Sequence, residues 1–116
     1  MKKLLMSLTT IALVTAVAVL AQGKVTISGK QIRGVPGRNA QLISSGVKLA
    51  RAGTVVEAGS GGDGFWIEDD MGVVNEYRDP RKAVGTPLDA GGPYRVYPFL
   101  KKGQNETSAY ITLTVP

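Results

Sequence analysis

The chain has 116 residues, with 14 lysines and arginines against 9 aspartates and glutamates, no cysteine and no histidine. That length is one small domain, and the two missing residue types exclude disulfide staples, lipid attachment at a cysteine, Ser-His-Asp and Cys-His catalysis and the usual zinc ligands. The positive surplus is modest and the aromatics are not interleaved with the basic residues as base stacking requires, which speaks against nucleic acid as a partner.

Residues 1–21 begin with Lys2 and Lys3 and run apolar from Leu4 to Leu20, diluted by Ser7, Thr9, Thr10 and Thr15, before the small-residue exit Val19-Leu20-Ala21. This is the layout of a secretory signal peptide cleaved before Gln22, with Ala16-Val17-Ala18 as a second cleavage position. Left uncleaved, the run approaches the roughly 20 residues that span a bilayer. The expectation is an exported bacterial protein, secreted or periplasmic and free of the membrane after cleavage, whose working part is residues 22–116.

From Lys24 onward no stretch keeps a helical period long enough for a helix, and short alternating runs broken by glycine recur instead: KVTISG, QLISSGVKLA, GTVVEAG, GFWIEDD, GVVNEYR, YRVYPFL and AYITLTV. Regularly spaced short strands of this kind predict a single small all-β sandwich, jelly-roll or immunoglobulin-like. Gly46 argues against a helix over 39–52. Asp69-Asp70-Met71-Gly72 predicts a hairpin turn between the fourth and fifth runs, and Asp79 to Pro87 a longer connection that carries the chain between sheets. Pro93 is placed just before a strand and Lys101–Glu106 at a loop tip. Alternation puts Ala109, Ile111, Leu113 and Val115 on one face and Tyr110, Thr112 and Thr114 on the other; Phe65, Ile67 and Val96 face inward, Trp66, Glu68 and Asp70 outward.

Charge is unevenly placed. Six basic residues and no acid fall between Gln22 and Val56, while Glu57 to Pro116 holds all nine acids and another six bases. A division of this kind suits two solvated sides of a domain, an anionic envelope polymer, or the acidic face of another subunit.

The chemistry left open is narrow. Glu68 and Asp70 share a strand face as a carboxylate pair, but acids beside a hairpin serve first as turn formers and solubilising charges, so no enzyme activity is expected. No cofactor is expected, with calcium the one ion to consider: Asp63, Asp69, Asp70 and Asp79 are close in sequence, and oxygen ligands gathered by loops are what Ca²⁺ takes. Gly59-Ser60-Gly61-Gly62-Asp63-Gly64 spells a dinucleotide fingerprint, yet a strand follows where a helix is required, so these glycines read as a flexible hairpin loop. Asn105-Glu106-Thr107 fits a glycosylation acceptor only in a host with that machinery. Trp66 and Tyr77 fall on adjacent strands of one predicted hairpin and are the candidate sugar-binding pair.

The framework positions Val47, Leu49, Ala52 and Gly53, then Phe65, Ile67, Asp69 and Gly72, then Leu88, Ala90, Gly91, Tyr94 and Val96, and finally Tyr110 and Leu113 resemble the bacterial pre-peptidase C-terminal domain, a secreted jelly-roll sandwich found beside extracellular enzymes. The resemblance implies an accessory domain for secretion, folding or surface attachment, without activity of its own. Together these readings predict an exported, non-catalytic binding or accessory module acting on an envelope component, polysaccharide or partner protein. The alternatives are a self-associating structural subunit of a surface layer or fibre, with KVTISG as an edge strand open to a neighbour, and a small hydrolase inhibitor using the 34–38 loop.

Overall fold

The structure, a computed structural model, describes residues 23–116; the expected signal peptide and its cleavage point lie outside them. Its strands are β1 (Gly23–Ile32), β2 (Gln41–Ser44), β3 (Val47–Leu49), β4 (Gly53–Ser60), β5 (Phe65–Asp69), β6 (Gly72–Tyr77), β7 (Pro87–Leu88), β8 (Gly91–Pro98) and β9 (Glu106–Val115). They form two antiparallel sheets packed as a β-sandwich, one ordered β2-β1-β9-β4-β7 and the other β3-β8-β5-β6. Only β1 to β2 and β5 to β6 stay within a sheet; every other connection crosses, and β9 returns between β1 and β4. That winding is the jelly-roll form of the sandwich.

Each strand offers one apolar face, which is buried only when the two sheets meet. Ile27, Val55, Phe65, Ile67, Leu88, Val96, Ile111 and Leu113 are almost wholly buried between them, with Tyr94 and Ala109 beside them. The alternation expected for β9, β5 and Val96 is therefore present, although Val115, at the end of its strand, is only half-buried. The segment 39–52 forms β2 and β3, with Gly46 at φ 78° in the bend that carries the chain from one sheet to the other.

The connections follow local chemistry. At the β5–β6 turn the Asp69 carboxylate accepts the Met71 backbone N–H at 2.8 Å, and Gly72 takes φ 125°. The expected crossover after Asp79 contains a short 3-10 helix, Pro80–Ala83, which starts with the Asp79 carboxylate accepting Arg81 N–H and plants Ala83 in the core. Pro93 lies inside β8 rather than before it; β5 pairs with β8 only from Arg95 onward, so its missing donor breaks no bond of that ladder.

One expectation is corrected and another is narrowed. The run 59–64 is no flexible hairpin: it is a tight crossover from β4 to β5, where a side chain on Gly62 would meet the Phe99 carbonyl and one on Gly64 the Tyr77 carbonyl. Gly61 and Asp63 N–H groups donate to Ser108 and Phe99 carbonyls, both at 2.9 Å. KVTISG, within β1, pairs along its length with β9, but β2 covers its other side only over Gly29–Ile32, so Lys24–Ser28 keeps an open edge. The edge strands are β2 and β7 in one sheet and β3 and β6 in the other.

Tyr94 couples this core to pH. Its hydroxyl donates to the Asp89 carbonyl at 2.9 Å, and burial pushes its phenol above the ordinary 10.0, helped by the negative charges of Asp89, Asp69 and Asp70. The folded chain holds this proton more tightly than the unfolded chain, so its stabilising contribution is complete below the unfolded value and is lost as pH rises through the folded one. Unfolding free energy measured against pH is expected to fall above about pH 10, and to fall less steeply in Tyr94→Phe. An identical alkaline slope in both proteins would refute the assignment.

Candidate functional site

The outer faces of the two sheets differ. On the five-stranded sheet the outward residues are mostly hydroxylic: Thr26 of β1 and Thr112 of β9 hydrogen-bond at 3.1 Å, and Tyr110 donates to the Glu57 carboxylate at 2.8 Å. The four-stranded sheet is aromatic at one end, and there the candidate site lies.

Its centre is Trp66. Phe65 and Ile67 of β5 point into the core, so the period of two turns Trp66 and Glu68 outward. Register then sets the neighbours: Trp66 stands opposite Tyr97 of β8 on one side and Glu76 of β6 on the other. The Trp66 and Tyr97 ring centroids are 5.5 Å apart and tilted by 45°, and Phe99, just past β8, brings its centroid within 4.8 Å of Trp66. Such tilted contacts suit the ring quadrupoles and hold the rings in place.

Charged groups border the rings. The Trp66 indole N–H donates to the Glu68 carboxylate at 2.7 Å, which fixes the ring's rotation. The Arg78 guanidinium lies 3.7 Å over the Phe99 ring, a cation–π contact, and also stands 3.7 Å from the Glu76 carboxylate. Trp66 and Phe99 are half-buried and Tyr97 is nearly covered, whereas Arg78 and Glu76 are exposed. The result is an apolar strip with donors and acceptors at its border, and none of the main grooves among the described residues is lined by it. Those grooves are open, among them one of about 380 Å³ beside Ser28, Lys30 and Ile43. A flat aromatic strip suits an extended polymer better than an enclosed small molecule.

The expected partner of Trp66 was Tyr77, and the structure corrects this. Tyr77 stands opposite Phe65, one residue out of step with Trp66, and so lies on the inner face. There its ring centroid is 5.6 Å from that of Phe65, and its hydroxyl is hydrogen-bonded to Thr86 and Asn75. The residues that join Trp66 are Tyr97, Phe99 and Arg78, which sequence reading did not nominate. The signal was present, because with Val96 inward the same alternation turns Tyr97 outward.

The four aspartates considered for calcium are also separated. Asp69 and Asp70 lie at the turn end of the β5–β6 hairpin and Asp63 and Asp79 at its open end, roughly 17 Å away for a five-residue strand. Asp69 is engaged with its own turn, and Asp79 is held by Arg81 through Nε at 3.0 Å and Nη2 at 2.8 Å. That bidentate contact holds the Asp79 carboxyl below its ordinary value. Among the described residues no group of three or more acids gathers into a metal cage. The Glu68–Asp70 pair is likewise divided, Glu68 bonded to Trp66 and Asp70 exposed beyond the strand end.

The 34–38 loop is a closed miniature hairpin: Val35 and Arg38 exchange both backbone hydrogen bonds, at 2.9 and 2.8 Å, around Pro36-Gly37 with Gly37 at φ 83°. No family model, curated protein or solved structure matches the chain. The class it belongs to is thus the one its fold defines, a small jelly-roll β-sandwich with an aromatic strip on one outer face.

Proposed function

We propose that the protein is an exported, non-catalytic binding module that holds a polysaccharide of the cell envelope along Trp66, Tyr97 and Phe99. The observation that carries this reading is the outward, half-buried Trp66 set between two further rings and bordered by Glu68, Glu76 and Arg78. Sugar rings present apolar C–H faces that stack on aromatic side chains, and hydroxyls at their edges that bond to carboxylates and guanidinium groups. The framework likeness to the pre-peptidase C-terminal domain supports the same reading, since such a domain attaches rather than reacts.

The chain's one tryptophan lies in the strip, so intrinsic fluorescence reports on it directly. Titration with a panel of soluble envelope polysaccharides is expected to shift that emission for at least one member. Trp66→Ala, followed by calorimetry, is expected to weaken binding of that member by tenfold or more, as loss of about 1.4 kcal/mol implies, with an unchanged far-ultraviolet dichroism spectrum. Silence across the whole panel would refute the proposal.

A further inference from the structure

The four strands that end the two sheets are not alike, and beyond the short β2 the Lys24–Ser28 half of β1, which begins with a lysine, is also open on one side. Exposed edges invite pairing with another chain, and proteins blunt them with short strands, proline or lysine. Two edges here are blunted: β7 has two residues and begins with Pro87, and β3 has three with Lys48 at its centre. The other two are not. Edge strand β2 presents Leu42 and Ile43, 45 and 48 % exposed, and edge strand β6 presents Val73 and Val74, 62 and 40 % exposed, with Met71 at 88 % on the adjoining turn. Among the described residues β2 pairs with β1 alone and β6 with β5 alone, so each keeps one row of backbone donors and acceptors unpaired.

The two open edges are opposite in charge. Residues 29–48, which contain β2, carry Lys30, Arg33, Arg38 and Lys48 and no acid, with Lys30 of β1 paired at 3.1 Å to Glu106 of β9. Residues 65–77, the β5–β6 hairpin, carry Glu68, Asp69, Asp70 and Glu76 and no base, and of these Glu76 has Arg78 3.7 Å away just past the strand. They are also diagonal in the sandwich. β2 bends directly into β3 and so shares that side with it, while β6 lies at the far end of the other sheet, joined to β7 by the 3-10 helix. Like edges would repel, whereas unlike edges attract at the long range of charge and then pair apolar to apolar.

We infer that β2 of one molecule pairs with β6 of a second copy of this chain, joining the five-stranded sheet of the first to the four-stranded sheet of the next. A contact between two different patches is heterologous, so each copy leaves one edge free and the association propagates head to tail. With the edges diagonal, successive copies step by about one sheet spacing, roughly 10 Å. The outer aromatic strip is not consumed, and a row of copies would present it repeatedly to a polymer. The inference stands on the edges alone and does not depend on sugar binding.

The test is light scattering on the protein as isolated, with two double variants at exposed positions, Leu42→Ser/Ile43→Ser on β2 and Val73→Ser/Val74→Ser on β6. The unaltered protein is expected to rise in mass with concentration at low salt and to fall back toward the monomer as salt screens the edges. Each variant alone, with dichroism unchanged, is expected to stay monomeric. An equal mixture of the two retains one intact β2 and one intact β6, and its mass is expected to stop at about twice the monomer, because a heterologous contact with blocked outer edges closes there. Three results would each overturn the inference: an unaltered protein that stays monomeric at high concentration and low salt, a single-edge variant that still assembles, or a mixture that remains monomeric.

Discussion

Phe65→Ala is expected to destabilise the domain by about 3–5 kcal/mol, the range for removing a buried phenylalanine. Phe65 is fully buried where β5 faces the other sheet, and its ring lies 5.6 Å from that of Tyr77. The loss joins the transfer free energy of the ring to a cavity that the neighbouring strands, pinned on both sides of β5 by β6 and β8, cannot close. A domain of this size has about 5–15 kcal/mol in all, so the variant sits near its unfolding threshold at 25 °C. Urea denaturation followed by tryptophan fluorescence is the direct measurement, since Trp66 is next in the chain. With a slope of about 1–1.5 kcal/mol per molar urea for a small domain, the midpoint is expected to move down by about 2–4 M. Phe65→Leu, which leaves a smaller gap, is expected to cost less than half as much. A midpoint within 0.5 M or so of the unaltered protein would contradict the placement of Phe65 at the centre of the core.

Gly29→Ala is the second large effect, and it acts by addition rather than removal. At Gly29 β1 passes against β8, and a Cβ there would stand 1.8 Å from the Val96 carbonyl oxygen and 2.9 Å from that of Ile43. Backbone atoms cannot swing aside as a side-chain tip does, so one methyl must push the two sheets apart at this point. The neighbouring bonds make the displacement costly: Ser44 Oγ donates to the Ser28 carbonyl at 2.7 Å and accepts the Val96 N–H at 3.3 Å. A loss of about 3 kcal/mol or more is expected, at the upper end of overpacking costs, visible as a lowered urea midpoint. Gly23→Ala on the same strand meets nothing within 4 Å, and is expected to change the midpoint little. Equal behaviour of the two variants would show that the sheets do not approach at Gly29.

Assembly and stability are linked through the same strands. β2 supplies Ser44 to the inter-sheet bond and Leu42 and Ile43 to the open edge. The serine substitutions for the assembly test leave Ser44 untouched, so a fall in mass there reads pairing between copies rather than loss of the fold.

How much was legible in the sequence differs by scale. Strand existence was plain: KVTISG, GTVVEAG, GFWIEDD, GVVNEYR, YRVYPFL and AYITLTV became β1, β4, β5, β6, β8 and β9, and QLISSGVKLA was divided at Gly46 into β2 and β3. The burial of Phe65, Ile67, Val96, Ile111 and Leu113 followed from a period of two, which is a property of the extended backbone itself. The turn at Asp69–Gly72 and the crossover after Asp79 were equally readable, because an aspartate side chain bonds to its own neighbouring backbone.

What the sequence by itself determined, then, is whatever depends on residues a few places apart: an all-β chain, the inward face of each strand, and the lack of histidine and cysteine chemistry. Only the tertiary structure decided which strands become neighbours, and a shift of one residue in register exchanges faces. That shift put Tyr77 on the inner face against the core and gave Trp66 the company of Tyr97 and Phe99, residues over thirty positions away. A strand's length likewise separated aspartates that are close in the chain, and sheet order alone made β2 and β6 edges while giving β1 a second partner over Gly29–Ile32. Local backbone geometry sets where each side chain points, but the burial of both sheets against each other sets what it points at.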